Sequence, residues 1–137
     1  MRYFLALAFC FLLASPQAHA CHPGLEESLF FSVIPDPQPD ADVIAKVSLS
    51  NVDGTGMAMA TVMQVLKTSD ARVRQGSKIT MQFIEFISCG PDAKNGEEGI
   101  IIAKVATDSK DRLVLCPYTI QRRGRIMPPH KDACPFR

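Results

Sequence analysis

The chain has 137 residues with 15 Lys and Arg against 14 Asp and Glu, and 47% of its residues are apolar. This apolar share excludes a disordered chain. The balance of charge argues against a protein whose whole surface binds nucleic acid or an anionic membrane. Because the length suits one compact domain and is too short for two ordinary ones, the composition predicts a small, soluble, globular domain.

Residues 1–20 have the three parts of an export signal: the positive charge of Arg2, an apolar stretch, and a small-residue cleavage site at residues 18–20. Cleavage there makes Cys21 the first of 117 residues, with 14 charges of each sign. The bulky His19 fits a lipoprotein signal badly, and the apolar stretch is too short to span a membrane. We therefore expect a secreted or periplasmic protein without a transmembrane segment.

The chain after the signal divides into an irregular part and a series of predicted strands. Residues 22–39 contain four prolines and are predicted to be irregular. Further on, apolar and polar residues alternate as they do in strands, and an Asp-Gly motif within residues 51–56 indicates a hairpin turn. The five predicted strands span residues 43–50, 57–67, 78–87, 100–106 and 112–120.

These strands also carry predictions about burial and overall fold. The three consecutive isoleucines at residues 100–102 predict burial on both faces of the fourth strand. The Pro- and Arg-rich residues 121–137 are expected to be held by Cys134. Five regularly spaced strands predict an all-β fold, a five-stranded Greek-key barrel of the OB type. One side of the second strand is predicted to carry Met57, Met59, Met63 and Val65.

Four cysteines remain after the signal is removed, and their even number predicts two disulfides. Three pairings are possible among them. No two of these cysteines have the spacing of a structural zinc site, and no cofactor is expected. The four are Cys21, Cys89, Cys116 and Cys134.

The sequence does not predict an enzyme. It contains no HExxH, GxSxG, P-loop or GxGxxG motif. The two histidines of the mature chain, His22 and His130, both lie in segments predicted to be irregular. Residues 53–56, Asp-Gly-Thr-Gly, are interpreted as a turn rather than an aspartic-protease motif. No nucleophile and base can therefore be named as a pair.

Two features can still bind a partner. Arg122, Arg123 and Arg125 concentrate positive charge in a neutral chain, so they either bind an anionic glycan or are simply solvated. The mature terminus offers the amine and carbonyl of Cys21 and the imidazole of His22 as metal donors. If a disulfide holds the thiol of Cys21, the amine and carbonyl form a tethered chelate that loses little entropy on binding.

A set of short motifs resembles tissue inhibitors of metalloproteinases and the related netrin-like domains. Their order and spacing, together with the placement of the cysteines, carry the resemblance over about residues 21–118. It implies one OB barrel over residues 21–137. The motifs are Cys21 itself, ADVIAKV at 41–47, VLK at 65–67, SCG at 88–90, IAK at 102–104 and LVLCPY at 113–118.

The resemblance also implies how the cysteines pair. The family joins its first Cys to the Cys of the Cys-Gly motif, which implies a bridge between Cys21 and Cys89. The pair that then remains is Cys116 with Cys134, a connection that the family pattern itself does not supply.

The inhibitors of the family bind the catalytic zinc of a protease through the amine and carbonyl of their first residue, which corresponds here to Cys21. The resemblance implies that His22 points into the specificity pocket and that Ser88, Cys89 and Gly90 form an adjoining contact ridge. The chain has Pro23 where the inhibitors have a second Cys. The implied function is inhibition of a zinc metalloprotease, and the alternative is a non-inhibitory netrin-like binding module.

Overall fold

The computed structural model describes residues 26–83, 90–131 and 134. Within these residues the chain forms strands and no helix, which confirms the predicted all-β class. The strands are β1 Glu27–Ser28, β2 Val43–Ser50, β3 Met57–Thr68, β4 Lys78–Gln82, β5 Glu98–Thr107, β6 Leu113–Pro117, β7 Thr119–Gln121 and β8 Ile126–Met127.

Five of these strands close into a barrel in the order β2-β3-β4-β6-β5. Strand β2 lies between β3 and β5, so that Val43 faces Thr68 on one side and Ala103 on the other. All pairs in the barrel are antiparallel except β4 and β6, where Thr80 lies beside Val114. The arrangement confirms the predicted five-stranded barrel of the OB type. The remaining strands form a small sheet in the order β1-β7-β8.

Apolar side chains from every barrel strand fill its interior. Alternate residues of β2 point inward, because successive side chains of a strand lie on opposite faces. Ile101 of β5 belongs to this interior cluster, whereas the next residue, Ile102, belongs to an outer cluster with Phe31 and Tyr118. Both isoleucines are fully buried, which confirms the predicted burial on the two faces of this strand.

Two bulges in β3 make one sequence prediction wrong. The register with β2 shifts twice, and in each case β3 contains one extra residue, first Met63 and then Leu66. An extra residue reverses which face the following side chains occupy. Met63 and Leu66 are each 42% exposed, whereas Val65 packs against the barrel interior. The prediction that one side of this strand carries Met57, Met59, Met63 and Val65 is therefore wrong for Val65.

The predicted fifth strand, residues 112–120, is in fact two strands in different sheets. Strand β6 ends at Pro117, and β7 begins at Thr119 in the small sheet. Between them the amide of Tyr118 donates to the carbonyl of Ile102 at 2.7 Å, and its hydroxyl donates to the carbonyl of Asp40 at 2.8 Å. These bonds turn the chain away from β6 toward β1. The predicted third strand is confirmed over residues 78–82, and its last residues, 84–87, lie outside the described residues.

A disulfide joins Cys116 of β6 to Cys134, with 5.8 Å between their Cα atoms. Both cysteines are fully buried and pack against Ala106 and Val114 on the outside of the barrel. The expectation that Cys134 holds the C-terminal segment is therefore confirmed. That segment also contains β8, which the sequence did not predict.

Candidate functional site

The described residues contain only part of the site that the resemblance implies. Cys21, His22, Ser88 and Cys89 lie outside them, and so does the implied bridge between Cys21 and Cys89. Gly90, the last residue of the implied contact ridge, is half-buried. Near the implied site, the structure therefore describes only the residues that follow these parts of the chain, which begin at residue 26 and at Gly90.

The N-terminal segment, residues 26–31, begins five residues after Cys21 and is bound to the small sheet. Strand β1 pairs antiparallel with β7, with Glu27 facing Gln121 and Ser28 facing Ile120. Five residues of extended chain span at most about 18 Å. The covalent chain therefore keeps Cys21 within about that distance of the first described residue.

Apolar side chains anchor the second half of the N-terminal segment. Leu29 and Phe31 are each 3% exposed, and they belong to the interior cluster and the outer cluster respectively. The amide of Phe31 also donates to the carbonyl of Ile100 at 2.9 Å. Between them Phe30 lies against the backbone of Gly99. The sequence analysis predicted an irregular segment here. It missed the pairing of β1 with β7, because β7 lies about 90 residues further along the chain.

Polar contacts hold the first half of the N-terminal segment. The hydroxyl of Thr119 donates to Oε2 of Glu27 at 2.7 Å. The amide of Arg122 donates to the carbonyl of Glu26 at 3.0 Å, and the side chains of these two residues form an exposed ion pair at 3.5 Å. An open groove of about 470 Å³ runs beside these contacts. Its lining is Glu26, Glu27, Ser28, Ile120, Gln121, Arg122 and Gly124.

The loop that follows the implied ridge, residues 90–97, packs beside the turn between β2 and β3. The amide of Leu49 donates to the carbonyl of Glu97 at 2.8 Å, and the amide of Val52 donates to the side chain of Asn95 at 2.9 Å. Ala93 of this loop is buried in the barrel interior. The chain leaving Gly90 is therefore fixed against one end of the barrel.

The motif at residues 53–56 is a turn, as predicted. One carboxylate oxygen of Asp53 accepts hydrogen bonds from the amide and the hydroxyl of Thr55 and from the amide of Met57. These bonds, those from Thr55 first, hold the pKa of Asp53 below its usual value. The carboxylate therefore shapes the turn.

The basic turn, residues 122–125, joins β7 to β8 and carries the three arginines singled out in the sequence. It closes through a hydrogen bond from the amide of Gly124 to the carbonyl of Gln121 at 2.7 Å, with φ of 80° at this glycine. All three arginines are exposed. Glu26 partly neutralises Arg122, an ion pair that the sequence analysis did not predict. Arg123 and Arg125 form no ion pair with any residue that the structure describes.

The comparisons add no functional assignment. No protein-family model, curated protein or solved structure matches the chain. No group of three or more His, Cys, Asp and Glu that could hold a metal ion occurs among residues 26–83, 90–131 and 134. No helix in this part of the chain is long and apolar enough to cross a membrane. The resemblance to metalloprotease inhibitors remains a prediction from the sequence.

Proposed function

We propose that the protein is an exported inhibitor of a zinc metalloprotease, similar to tissue inhibitors of metalloproteinases. In this proposal the amine and carbonyl of Cys21 bind the catalytic zinc at the position that such enzymes leave open to water or substrate. His22 enters the specificity pocket, and Ser88, Cys89 and Gly90 contact the rim of the cleft.

The observation that carries the proposal is the anchoring of the N-terminal segment. It starts five residues after Cys21 and is attached to the small sheet by β1 and to the barrel by the buried side chains of Leu29 and Phe31. A terminus attached to a fixed segment loses less entropy on binding than a free one. The disulfide between Cys116 and Cys134 supports export, because such bonds persist mainly in oxidising compartments.

The test is an inhibition assay on protein exported through its own signal. Intact mass first establishes that the chain starts at an unmodified Cys21 and has two disulfides. The protein is then assayed against a panel of zinc metalloproteases beside a variant with one Ala added before Cys21. The control is a variant with one Ala added after Arg137.

We expect the wild type and the control to inhibit at least one protease, and the variant extended before Cys21 to lose inhibition. Equal inhibition by both extended variants would reject chelation by the terminus. If the wild type inhibits no member of the panel, the inhibitory function itself is rejected.

The second candidate is a non-inhibitory netrin-like module that binds an anionic glycan through the basic turn. The exposed side chains of Arg123 and Arg125, without an ion pair among the described residues, favour it. A guanidinium group binds a carboxylate or sulfate through two parallel hydrogen bonds, which suits such a ligand.

Retention on a sulfated-glycan column tests this second candidate. We expect elution by salt and loss of retention in the variant R123A/R125A. The control R74A/K78A removes two exposed positive charges at the start of β4, away from the small sheet, and should elute like the wild type. Absence of retention at low salt, or equal loss in both variants, would reject a specific site at the basic turn.

A further inference from the structure

We propose that Asn95 is a site of spontaneous deamidation, which the native fold protects and which opening of the loop at residues 90–97 exposes. The reaction needs only water, so this site does not depend on the proposed function. Its chemistry follows from the next residue of the chain, which is Gly96.

Deamidation of an asparagine begins with an attack by the backbone of the next residue. The nitrogen of Gly96 attacks Cγ of Asn95, and the new C–N bond closes a succinimide ring. The attacking nitrogen gives up its proton, the bond from Cγ to the side-chain nitrogen breaks, and ammonia leaves. Water then opens the ring at either carbonyl, which gives aspartate or isoaspartate. Neither an oxidant nor a reductant takes part.

The residue after an asparagine decides how readily this ring closes. Gly96 has no side chain to hinder the attacking nitrogen. The other asparagine of the chain, Asn51, precedes Val52, whose branched and stiff side chain crowds the corresponding nitrogen. Asn95 is therefore the reactive asparagine of the unfolded chain, and Asn51 serves as an internal control.

In the native fold, hydrogen bonds hold both groups that must meet. The amide nitrogen of Gly96 donates to the carbonyl of Leu49 at 2.8 Å. Oδ1 of Asn95 accepts a hydrogen bond from the amide of Val52 at 2.9 Å. Attack requires the nitrogen to leave Leu49 and the side chain to rotate away from Val52. Because Asn95 is exposed to water, these bonds and not burial supply the protection.

The turn around Asn95 also opposes ring closure. The amide of Glu97 donates to the carbonyl of Lys94 at 3.2 Å, and Gly96 has φ of 84°. These are the features of a type II turn, in which ψ of the second residue is about 120°. At that angle the nitrogen of Gly96 lies out of the plane in which the ring closes. The carboxylate of Glu97 fixes the turn further, because it accepts a hydrogen bond from the amide of Lys94 at 2.8 Å.

Isoaspartate at residue 95 does not fit this turn. Its backbone runs through the former side chain and is longer by one methylene group. The hydrogen bond between Lys94 and Glu97 spans residue 95 and therefore loses its geometry. Ordinary aspartate keeps the length of the backbone and an oxygen for the amide of Val52. An opening of the loop that lasts long enough for the reaction thus leaves a permanent change in the chain.

The experiment follows deamidation by peptide mass spectrometry and measures isoaspartate by enzymatic methylation. The mature exported protein is incubated at mildly alkaline pH, once in native buffer and once in urea that unfolds it. Two variants are treated in the same way. E97A removes the carboxylate that fixes the turn. The matched control E98A removes the neighbouring carboxylate, which forms only an exposed ion pair with Lys46 at 4.0 Å.

We expect Asn95 of the wild type to deamidate about 25-fold more slowly in native buffer than in urea, because each of the two hydrogen bonds changes the opening equilibrium about fivefold. E97A should raise the native rate about fivefold through the loss of one further hydrogen bond, and E98A should leave it unchanged. In urea all three proteins should react at similar rates, with Asn95 ahead of Asn51.

Several outcomes would overturn the inference. Equal rates in native buffer and in urea would mean that the fold does not protect Asn95. Equal effects of E97A and E98A would assign the protection to charge and not to the turn. A rate at Asn95 no higher than that at Asn51 in urea would remove the site itself.

A second measurement tests the lengthened backbone. Protein with isoaspartate at residue 95 is refolded, and its urea unfolding is compared with that of N95D, which has the same charge and an ordinary backbone. We expect the isoaspartate form to unfold at a lower urea concentration. Equal midpoints would contradict the conclusion that the longer backbone does not fit the turn.

Discussion

The replacement of Gly99 by alanine tests how the N-terminal segment is docked on the barrel. Gly99 is the second residue of β5 and faces Val47 of β2. A Cβ built on Gly99 would lie 2.6 Å from Cγ and Cδ1 of Phe30 and 2.8 Å from its Cβ. Carbon atoms in contact normally stand about 3.5–4.0 Å apart. The added methyl group therefore requires a shift of about 1 Å.

The side chain of Phe30 cannot absorb this shift by rotation alone. Rotation about its first side-chain bond moves Cγ and Cδ1 but leaves Cβ in place, so the backbone of residue 30 must also move. That movement strains the hydrogen bond from Phe31 to Ile100. Overpacking of this kind costs about 1–3 kcal/mol, which lowers the melting temperature of a domain of this size by about 4–12 °C.

The assay is thermal and urea unfolding of four proteins: wild type, G99A, F30G and F30G/G99A. Glycine at residue 30 removes Cβ as well as the ring, so in the F30G background the obstacle is gone, and alanine at residue 99 should restrict the unfolded chain more than glycine does. We therefore expect G99A to become neutral or stabilising by about 0.4–1 kcal/mol relative to F30G. The reversal of sign is the specific prediction.

A second glycine provides the control. Gly96 has φ of 84° and no heavy atom within 4 Å of a built Cβ, so G96A should destabilise through backbone strain and not through a contact. Its cost should be the same with and without Phe30. If G99A is equally costly in both backgrounds, the contact with Phe30 is not the reason that residue 99 is glycine.

Three further predictions concern the rest of the barrel. C134A removes a disulfide that spans 18 residues and should cost about 3 kcal/mol in urea unfolding, and no loss of stability would contradict a structural bridge. The side chain of Arg112 holds the pKa of Asp108 at about 2, below the ordinary 3.8, so this carboxylate stabilises the fold above about pH 4 and its contribution is lost as the pH falls toward 2. Melting temperatures between pH 2 and 5 should accordingly depend less on pH in D108N, and an unchanged acid dependence would be the contrary result. We expect L66K to change the free energy of unfolding by less than about 0.5 kcal/mol, because Leu66 lies on an exposed bulge. V65K should be strongly destabilising, because Val65 packs against the barrel interior. Similar free energies of unfolding for the two variants would argue against the bulge.

Local patterns were sufficient to predict much of the barrel. Strand β2 has the same bounds as its prediction, because its alternation is regular and a turn motif follows it. Residues 100–102 were correctly assigned to a strand buried on both faces. Where partners distant in sequence decide the structure, the prediction failed. The apolar run from Leu113 to Ile120 contains no signal for its division at Tyr118, which depends on bonds to Ile102 and Asp40.

The bulges in β3 and the strand β1 were missed for a similar reason. Alternation assumes a constant register, whereas the extra residues Met63 and Leu66 arise from the way β3 fits β2. Glu27 belongs to a strand only because β7 lies beside it. For the candidate site, the sequence located the basic turn but not its neutralising partner Glu26. The roles of Cys21 and His22 continue to depend on the sequence resemblance.

The pairing of β1 with β7 has a consequence for the order of events during synthesis. Glu27 and Gln121, which face each other, are 94 positions apart in the chain. At about 5–20 residues per second, the second is made about 5–19 s after the first. The hairpin of β2 and β3 can form within that interval, but the N-terminal segment has no strand to join. The pairing of β1 therefore forms late, after all five strands of the barrel have been made.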